Sequence, residues 1–177
     1  LLFLLIIWFT GVFIFGIVFG IISIIIGLAG IVIKTFLKKY NAKKALEHAQ
    51  QYKGKIIPTR LEALRVAENI LIFFHKINQE SAIILFLDRD NYCKEVKVYF
   101  GDEHSVTLSP EDILKTANSI NTSKLIIIHN HPNEKPTPSD QDVMFTVDLQ
   151  NILGNKVKIV DALVSVSYTH LTLPTKA

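Results

Sequence analysis

Four residues in the second half of the chain have the types and spacing of a metal site. His129 and His131 close an apolar run, and because strand side chains alternate between faces, both imidazoles are expected on one face. Ser139 and Asp142 follow at the start of a predicted helix. A catalytic zinc site uses three protein ligands and leaves the fourth position to water. The pattern therefore predicts His129, His131 and Asp142 as the metal ligands.

The same residues also have purely structural explanations. Ser139 and Asp142 form an S-x-x-D pattern, which caps helices whether or not a metal is bound. Two histidines at a strand end can be ordinary surface residues. The combination of apolar strand, H-x-H-P, proline-containing loop and S-x-x-D favours a metal site over chance.

Hydrolysis would also need a base that takes a proton from water and later protonates the leaving group. Glu80 is the predicted base, because it stands at the mouth of the apolar run 81–87. Glu103 and Glu134 are the alternatives, since spacing alone brings none of the three near the histidines.

The surrounding segments predict a sheet that would position these residues. Apolar runs and alternating patterns predict the strands, and capping residues with helical spacing predict the helices. The predicted order is helix 60–77, strands 81–87, 95–100 and 105–108, helix 110–119, strand 125–128, helix 140–153 and strand 156–160. This order predicts an α/β (α+β) fold with a mixed sheet and helices packed against it.

The motifs resemble those of the JAB/MPN metalloenzyme (JAMM) superfamily, whose pattern is a distal Glu followed by H-x-H, seven residues and S-x-x-D. HNHP followed by PS-x-x-D is most similar to the RadC-like branch. The resemblance covers residues 58–164 and includes QESAIILFLD and GDEHSVTLSPEDILK. It implies a JAB/MPN domain with a mainly antiparallel sheet of the cytidine-deaminase-like/MPN type.

The resemblance also implies roles for single residues. Zn²⁺ would be bound by His129, His131 and Asp142, with Glu80 as the general base. Ser139 would donate to the oxyanion of the tetrahedral intermediate. The implied activity is hydrolysis of a peptide or isopeptide bond in a peptide or protein substrate.

Two positions depart from the branch pattern. Asn133 and Glu134 stand where RadC-like proteins usually have Ser-Gly, and Ala162 stands where the branch commonly has histidine after aspartate. These departures keep a second function open, in which the domain is a catalytically silent binding module at a membrane. A third, DNA repair, is associated with the branch.

The first 33 residues predict a membrane segment. Residues 1–33 contain no charged side chain, and about 18 apolar residues are enough to span a bilayer. The run is too long for one untilted helix, so it is either one tilted span or two short spans turning near Gly11–Gly16, and we slightly favour two spans or a partial span. A cleaved signal peptide is disfavoured, because the apolar run is too long for one.

Charge predicts the orientation of that segment. A basic linker, 34–57, follows, and the chain up to residue 55 holds seven lysines and one acidic residue, Glu47. The positive-inside rule then places the downstream domain in the cytoplasm. Anionic headgroups would contact the lysines closest to the apolar run, which are Lys34, Lys38, Lys39, Lys43 and Lys44.

The remainder of the chain is net acidic and lacks the excess of basic residues that indicates nucleic-acid binding. The single cysteine excludes an internal disulfide and agrees with a reducing compartment. The sequence does not predict an oligomeric state.

Both ends carry signs of processing. The chain does not begin with methionine, so we expect that it continues upstream of Leu1. Residues 166–177 resemble the in-frame translation of a sequencing adaptor, so we expect a non-native tail there, although a terminal strand also fits.

Overall fold

The computed structural model describes residues 2–75, 79–102, 105–131, 137–166 and 169–172. In chain order the elements are α1 (Leu2–Gln50), α2 (Arg60–His75), β1 (Ser81–Leu87), β2 (Cys93–Phe100), α3 (Pro110–Ser119), β3 (Lys124–Asn130), α4 (Asp140–Leu153), β4 (Lys158–Val166) and β5 (Thr169–Thr172). The chain divides into two compact units, Leu1–Tyr40 and Asn41–Ala177.

The first unit carries the apolar part of α1. Every apolar side chain from Val12 to Ile33 is exposed, and the most apolar window of the helix has a mean hydropathy of 2.9. A helix that is apolar on all sides is unfavourable in water and suits the interior of a bilayer. By length and composition, the helix from Val12 to Gln50 could cross a membrane.

The two-span interpretation of this segment is wrong, because α1 continues through Gly11–Gly16 without a turn. Glycine in a helix costs only about 1 kcal/mol relative to alanine, and the segment contains no proline. Two glycines are therefore too weak a signal to predict a break in this helix.

The second unit is built on a mixed, mainly antiparallel sheet with the order β2-β1-β3-β4-β5. β1 pairs antiparallel with β2 and β3, β3 pairs parallel with β4, and β4 pairs antiparallel with β5. All seven residues of β1 are buried, as expected for an apolar run covered on both faces. The sheet, with helices packed on it, confirms the predicted fold class.

Helices cover both faces of the sheet and give each face its own core. One core joins α2, together with Ala45 and Ala49, to strand residues that include Ile126 and Ile128. The other joins α3 and α4 to strand residues that include Ile127. Because side chains alternate along β3, the face of Ile127 is also that of His129. The histidines therefore face α4.

An ion pair ties the start of α2 to β4. Arg60 Nη2 donates to Asp161 Oδ1 at 2.8 Å, and Arg60 Nε donates to Asp161 Oδ2. Asp161 is only 5% exposed, so its carboxylate depends on this bidentate partner. This ion pair therefore helps to fix the segment of β4 that lines the site described below.

Two element predictions need correction. Residues 105–108 form no strand, because Asp102 and Ser105 bond each other across a turn instead of pairing with the sheet. The last predicted strand, 156–160, is a longer strand, Lys158–Val166, because pairing with β3 continues to Ser165.

Part of the predicted adaptor-derived tail has regular structure. Residues Thr169–Thr172 form β5 and pair with β4 from Leu163 to Val166. The origin of segment 166–177 stays a prediction, as do the domain boundaries.

Candidate metal centre

His129 and His131 stand at the end of β3 with their imidazoles on the same side of the sheet. Both are largely buried, with exposed fractions of 8% and 6%. Their Nε2 atoms lie 2.9 Å apart. Two nitrogen lone pairs at this distance repel each other unless a proton or a metal ion lies close to both. The two nitrogens are therefore close enough either to share one proton in a hydrogen bond or to bind the same metal ion.

Asp142 joins the histidines from the first turn of α4. Its Oδ1 lies 3.2 Å from His129 Nε2, and its Oδ2 lies 3.6 Å from His131 Nε2. One donor atom from each residue lies within 4.8 Å of the other two. Imidazole nitrogens and carboxylate oxygens both bind first-row transition metals, so the cluster is compatible with a metal ion.

The environment of Asp142 keeps its carboxyl ionised. Burial alone raises the pKa of this carboxyl, but hydrogen bonds from His129, His131 and Ser139 outweigh that effect and hold the pKa well below its usual range. The position at the third residue of α4 acts in the same direction, because a helix N-terminus favours a negative charge. A charged carboxylate is the form that binds a metal.

Glu80 reaches the same cavity from the neighbouring strand. The antiparallel register pairs Ala82 with His129 and ends at Ser81 with Asn130, so Glu80 directly precedes the paired part of β1. The half-buried Glu80 lines the cavity that also contains both histidines. The structure thus brings Glu80 to the wall of the histidine cluster.

Ser139 also lines the cavity, but its polar groups are engaged with Asp142. The Ser139 hydroxyl donates to Asp142 Oδ2 at 2.7 Å, and the Ser139 backbone N–H donates to the same oxygen at 2.7 Å. In return, the Asp142 backbone N–H donates to Ser139 Oγ at 3.2 Å. In this structure Ser139 therefore caps α4 and supports the carboxylate of Asp142.

The cavity between the sheet and α4 has a volume of about 270 Å³. One set of lining residues is polar and includes the five predicted site residues. A second set is apolar and consists of Val106, Leu108, Ile127, Phe145 and Ala162. Ile127 precedes His129 by two positions on the same face, so an apolar surface begins about 7 Å along the strand from the histidine.

Residues 61–173, more than half of the chain, match the family described as the RadC-like JAB domain. The match contains the whole cluster and Glu80. The chain belongs to the RadC-like JAB domain family. The resemblance recognised in HNHP and PS-x-x-D is thereby confirmed.

Curated relatives of this RadC-like JAB domain are named UPF0758 proteins. The relative from Clostridium beijerinckii is 29% identical over 131 residues, which cover 72% of this chain and 53% of the relative. The relative from Carboxydothermus hydrogenoformans is 33% identical over 127 residues, covering 68% and 55%. That from Coprothermobacter proteolyticus is 41% identical over 68 residues, covering 38% and 29%. The chain thus spans about half the length, or less, of these relatives.

Ala162 gives the cavity of this RadC-like JAB domain an apolar wall. The parallel register pairs Ala162 with Ile127, and Ala162 is 4% exposed. A methyl group is therefore the side chain that this position of β4 presents to the cavity. The preceding residue, Asp161, bonds Arg60, and so contributes to anchoring β4 rather than to the cavity lining.

Three residues named in the sequence analysis lie outside the described residues. They are Glu103 and Glu134, the two alternatives to Glu80 as the base, and Asn133.

Sequence reasoning did not single out Asn130 or Phe145. Phe145 follows Asp142 by three positions, so helical spacing could have placed it beside the site. Asn130 is fully buried at the end of an apolar strand, and a polar residue in such a position indicates specific hydrogen bonds.

Proposed function

We propose that this RadC-like JAB domain is a zinc-dependent hydrolase that cleaves a peptide or isopeptide bond. The observation that carries the proposal is the convergence of His129, His131 and Asp142 on the wall of a cavity that Glu80 also lines. Three metal donors and a separate carboxylate are the groups that metal-assisted hydrolysis needs.

The donor geometry supports zinc. Nitrogen and oxygen ligands lie about 2.0–2.1 Å from zinc, so a tetrahedral site separates its donor atoms by roughly 3.3 Å. His129 Nε2 and His131 Nε2 lie 2.9 Å apart, and Asp142 presents Oδ1 at 3.2 Å from His129 Nε2 and Oδ2 at 3.6 Å from His131 Nε2. Three protein ligands would leave a fourth position for water.

Each residue has a role in the proposed reaction. Zinc held by the three ligands would supply a water molecule acidified to near-neutral pKa and polarise the substrate carbonyl. The Glu80 carboxylate accepts a proton from the attacking water and returns it to the leaving amine nitrogen. The Ser139 hydroxyl, once released from Asp142, donates to the oxyanion that develops on the carbonyl oxygen.

The proposed setting is the cytoplasmic face of a membrane. The apolar part of α1 supports membrane anchoring by its length and composition. The lysines that follow it support a cytoplasmic orientation, because basic residues are retained on that side. A substrate would then be a peptide or protein near the membrane surface.

Metal analysis and a peptidase assay test the proposal. Purified full chain should carry one zinc per molecule, and His131→Ala or Asp142→Ala should lose it while remaining folded. Glu80→Gln should retain zinc and lose about 10²- to 10⁴-fold in turnover, since it removes only the base. A folded wild-type chain without stoichiometric metal would contradict the proposal.

A second candidate function is a catalytically silent binding module. Apolar side chains of α4 beside the site favour it, since Met144 is 66% exposed and Val147 is 54% exposed. Glu80→Gln separates the two functions in cells. An unchanged phenotype supports binding, and a phenotype equal to that of a deletion supports catalysis.

DNA processing remains the third candidate. The acidic balance of the chain beyond residue 55 disfavours it, because DNA affinity depends on neutralising phosphates with basic residues. A salt-sensitive affinity for DNA in the full chain, retained when the lysines of 34–44 are replaced, would revive it.

A further inference from the structure

Asn130 lies between the two histidines and bonds the backbone on both sides of Glu80. Its side chain is fully buried. Asn130 Oδ1 accepts from the Ser81 backbone N–H at 2.8 Å, and Asn130 Nδ2 donates to the Gln79 carbonyl at 2.9 Å. Gln79 and Ser81 are the two chain neighbours of Glu80.

The side chain extends the sheet where the backbone pairing ends. The last register pair between β1 and β3 is Ser81 with Asn130. Beyond it, the His131 backbone N–H donates to the Ser165 carbonyl on β4, at 3.3 Å. The Asn130 carboxamide makes the hydrogen bonds to β1 instead. Like a peptide group, a carboxamide provides one N–H donor group and one carbonyl acceptor.

A loop holds Glu80 from the opposite side. The Glu80 backbone N–H donates to the Asp102 carbonyl at 2.7 Å, and the Gly101 N–H donates to the Glu80 carbonyl at 2.9 Å. The Gln79 side chain also donates to the Gly101 carbonyl, at 2.8 Å. The backbone around Glu80 is thus fixed between this loop and Asn130.

We propose that Asn130 is a positioning residue for Glu80, which it holds in place by bonding Gln79 and Ser81. This inference rests on the proposed hydrolase function. A base must lie within hydrogen-bond reach of the proton it takes, and a displacement of about 1 Å can reduce turnover about 100-fold. Because Asn130 lies between His129 and His131 in the chain, its carboxamide fixes the position of the base relative to the two histidine ligands.

The test compares Asn130→Ala with Leu125→Ala in the full chain. Leu125 is fully buried at the other end of β3, so its replacement weakens the same strand without touching Gln79 or Ser81. Three properties are measured for both variants. They are amide hydrogen exchange at Ser81 and at Ile84, zinc affinity, and kcat and KM on a model peptide. Both substitutions are also made in the Glu80→Gln background.

Asn130→Ala should speed exchange at Ser81 more than at Ile84, whereas Leu125→Ala should affect both alike. Zinc affinity should stay close to that of the wild type. Turnover should fall about 10- to 100-fold with little change in KM. In the Glu80→Gln background the same substitution should have almost no further effect, because residues acting through one group are non-additive.

Three results would overturn the inference. These are unchanged protection of the Ser81 amide, a loss of zinc as large as in His131→Ala, and an equal loss of turnover with and without the Glu80 carboxylate. A wild-type chain that binds zinc but turns over no peptide would contradict the hydrolase function. In that case the exchange and zinc measurements still decide whether Asn130 fixes the Glu80 backbone independently of the metal ligands.

Discussion

Ser139 and Asp142 bond each other in both directions at the start of α4. The Ser139 backbone N–H and hydroxyl both donate to Asp142 Oδ2 at 2.7 Å, and the Asp142 N–H donates to Ser139 Oγ at 3.2 Å. The same carboxylate lies beside both histidines. Helix capping and the candidate metal site therefore share one pair of side chains.

Ser139→Ala should weaken both functions of this pair. Loss of the N-cap should reduce the free energy of unfolding by about 1 kcal/mol. Loss of the hydroxyl that supports Asp142 should lower zinc affinity about 10-fold, as for other residues that orient a metal ligand. Chemical denaturation and zinc titration measure the two effects.

Ser109→Ala is the matched control for this prediction. Ser109 caps α3 and accepts from the Asp112 N–H at 3.2 Å, and it has no hydrogen bond to the proposed metal ligands among the described residues. The Ser109→Ala variant should lose a similar free energy of unfolding, and its zinc affinity should equal that of the wild type. Equal zinc affinities for the two alanine variants would show that Ser139 only caps the helix.

Arg60→Ala should destabilise the second unit by about 1.5–3 kcal/mol, the value typical of hydrogen bonds to a charged group. The reason is that Asp161, which is 5% exposed, would lose its bidentate partner. The urea midpoint should fall without a change in slope. Arg65→Ala is the control, since Arg65 and Glu62 form an exposed pair of the kind that contributes about 0–1 kcal/mol.

Gly101→Ala should be among the more damaging substitutions in this unit. A Cβ at this position would lie 2.0 Å from the Ser105 carbonyl oxygen, so the backbone must move. The movement would disturb the bond from Gly101 to Glu80 and should reduce both stability and turnover. Thermal unfolding and the peptidase assay measure the effects.

Gly54→Ala is the control for Gly101→Ala, because it introduces backbone strain without a steric clash. Gly54 has a φ of +78° and nothing within 4 Å of an added Cβ, so alanine there meets strain alone, about 1–2 kcal/mol. A Gly101 variant no less stable than the Gly54 variant would contradict the close contact.

Cys93 should resist thiol reagents in the folded protein. Burial, and secondarily the charge of Glu95, raises the pKa of Cys93 from 9.0 to about 12. The folded state holds the thiol proton more tightly, so the associated stability is fully present below pH 9 and is lost as pH rises towards 12. Modification at pH 8 should follow global unfolding in urea. Rapid modification without urea would refute the prediction.

Ala162→Phe should narrow the cavity beside the histidines. The added ring would compete for the space bounded by Ile127 and Phe145. Zinc content should stay the same, while cleavage of peptides with a bulky apolar residue beside the scissile bond should fall about 10-fold or more. Peptides with glycine at that position are the control, and an equal loss for both would indicate a general structural defect.

Local patterns were sufficient to predict much of the domain. The apolar run in β1 and the caps of α3 and α4 follow from neighbouring residues, and the structure has these features. The H-x-H spacing predicted two imidazoles on one face, because alternation along a strand is a local property. The prediction of a turn near Gly11–Gly16 was wrong, since glycine only weakly disfavours a helix.

The sequence by itself determined which donors could form a metal site, because their types and their spacing along β3 and α4 are local. Only the tertiary structure decided that Glu80 lines the same cavity as the histidines and that Asn130 bonds the backbone around it. Both depend on the register between β1 and β3, which pairs residues about fifty positions apart. That register is set by burying two apolar strands against helices on both faces, and short-range spacing carries no information about it.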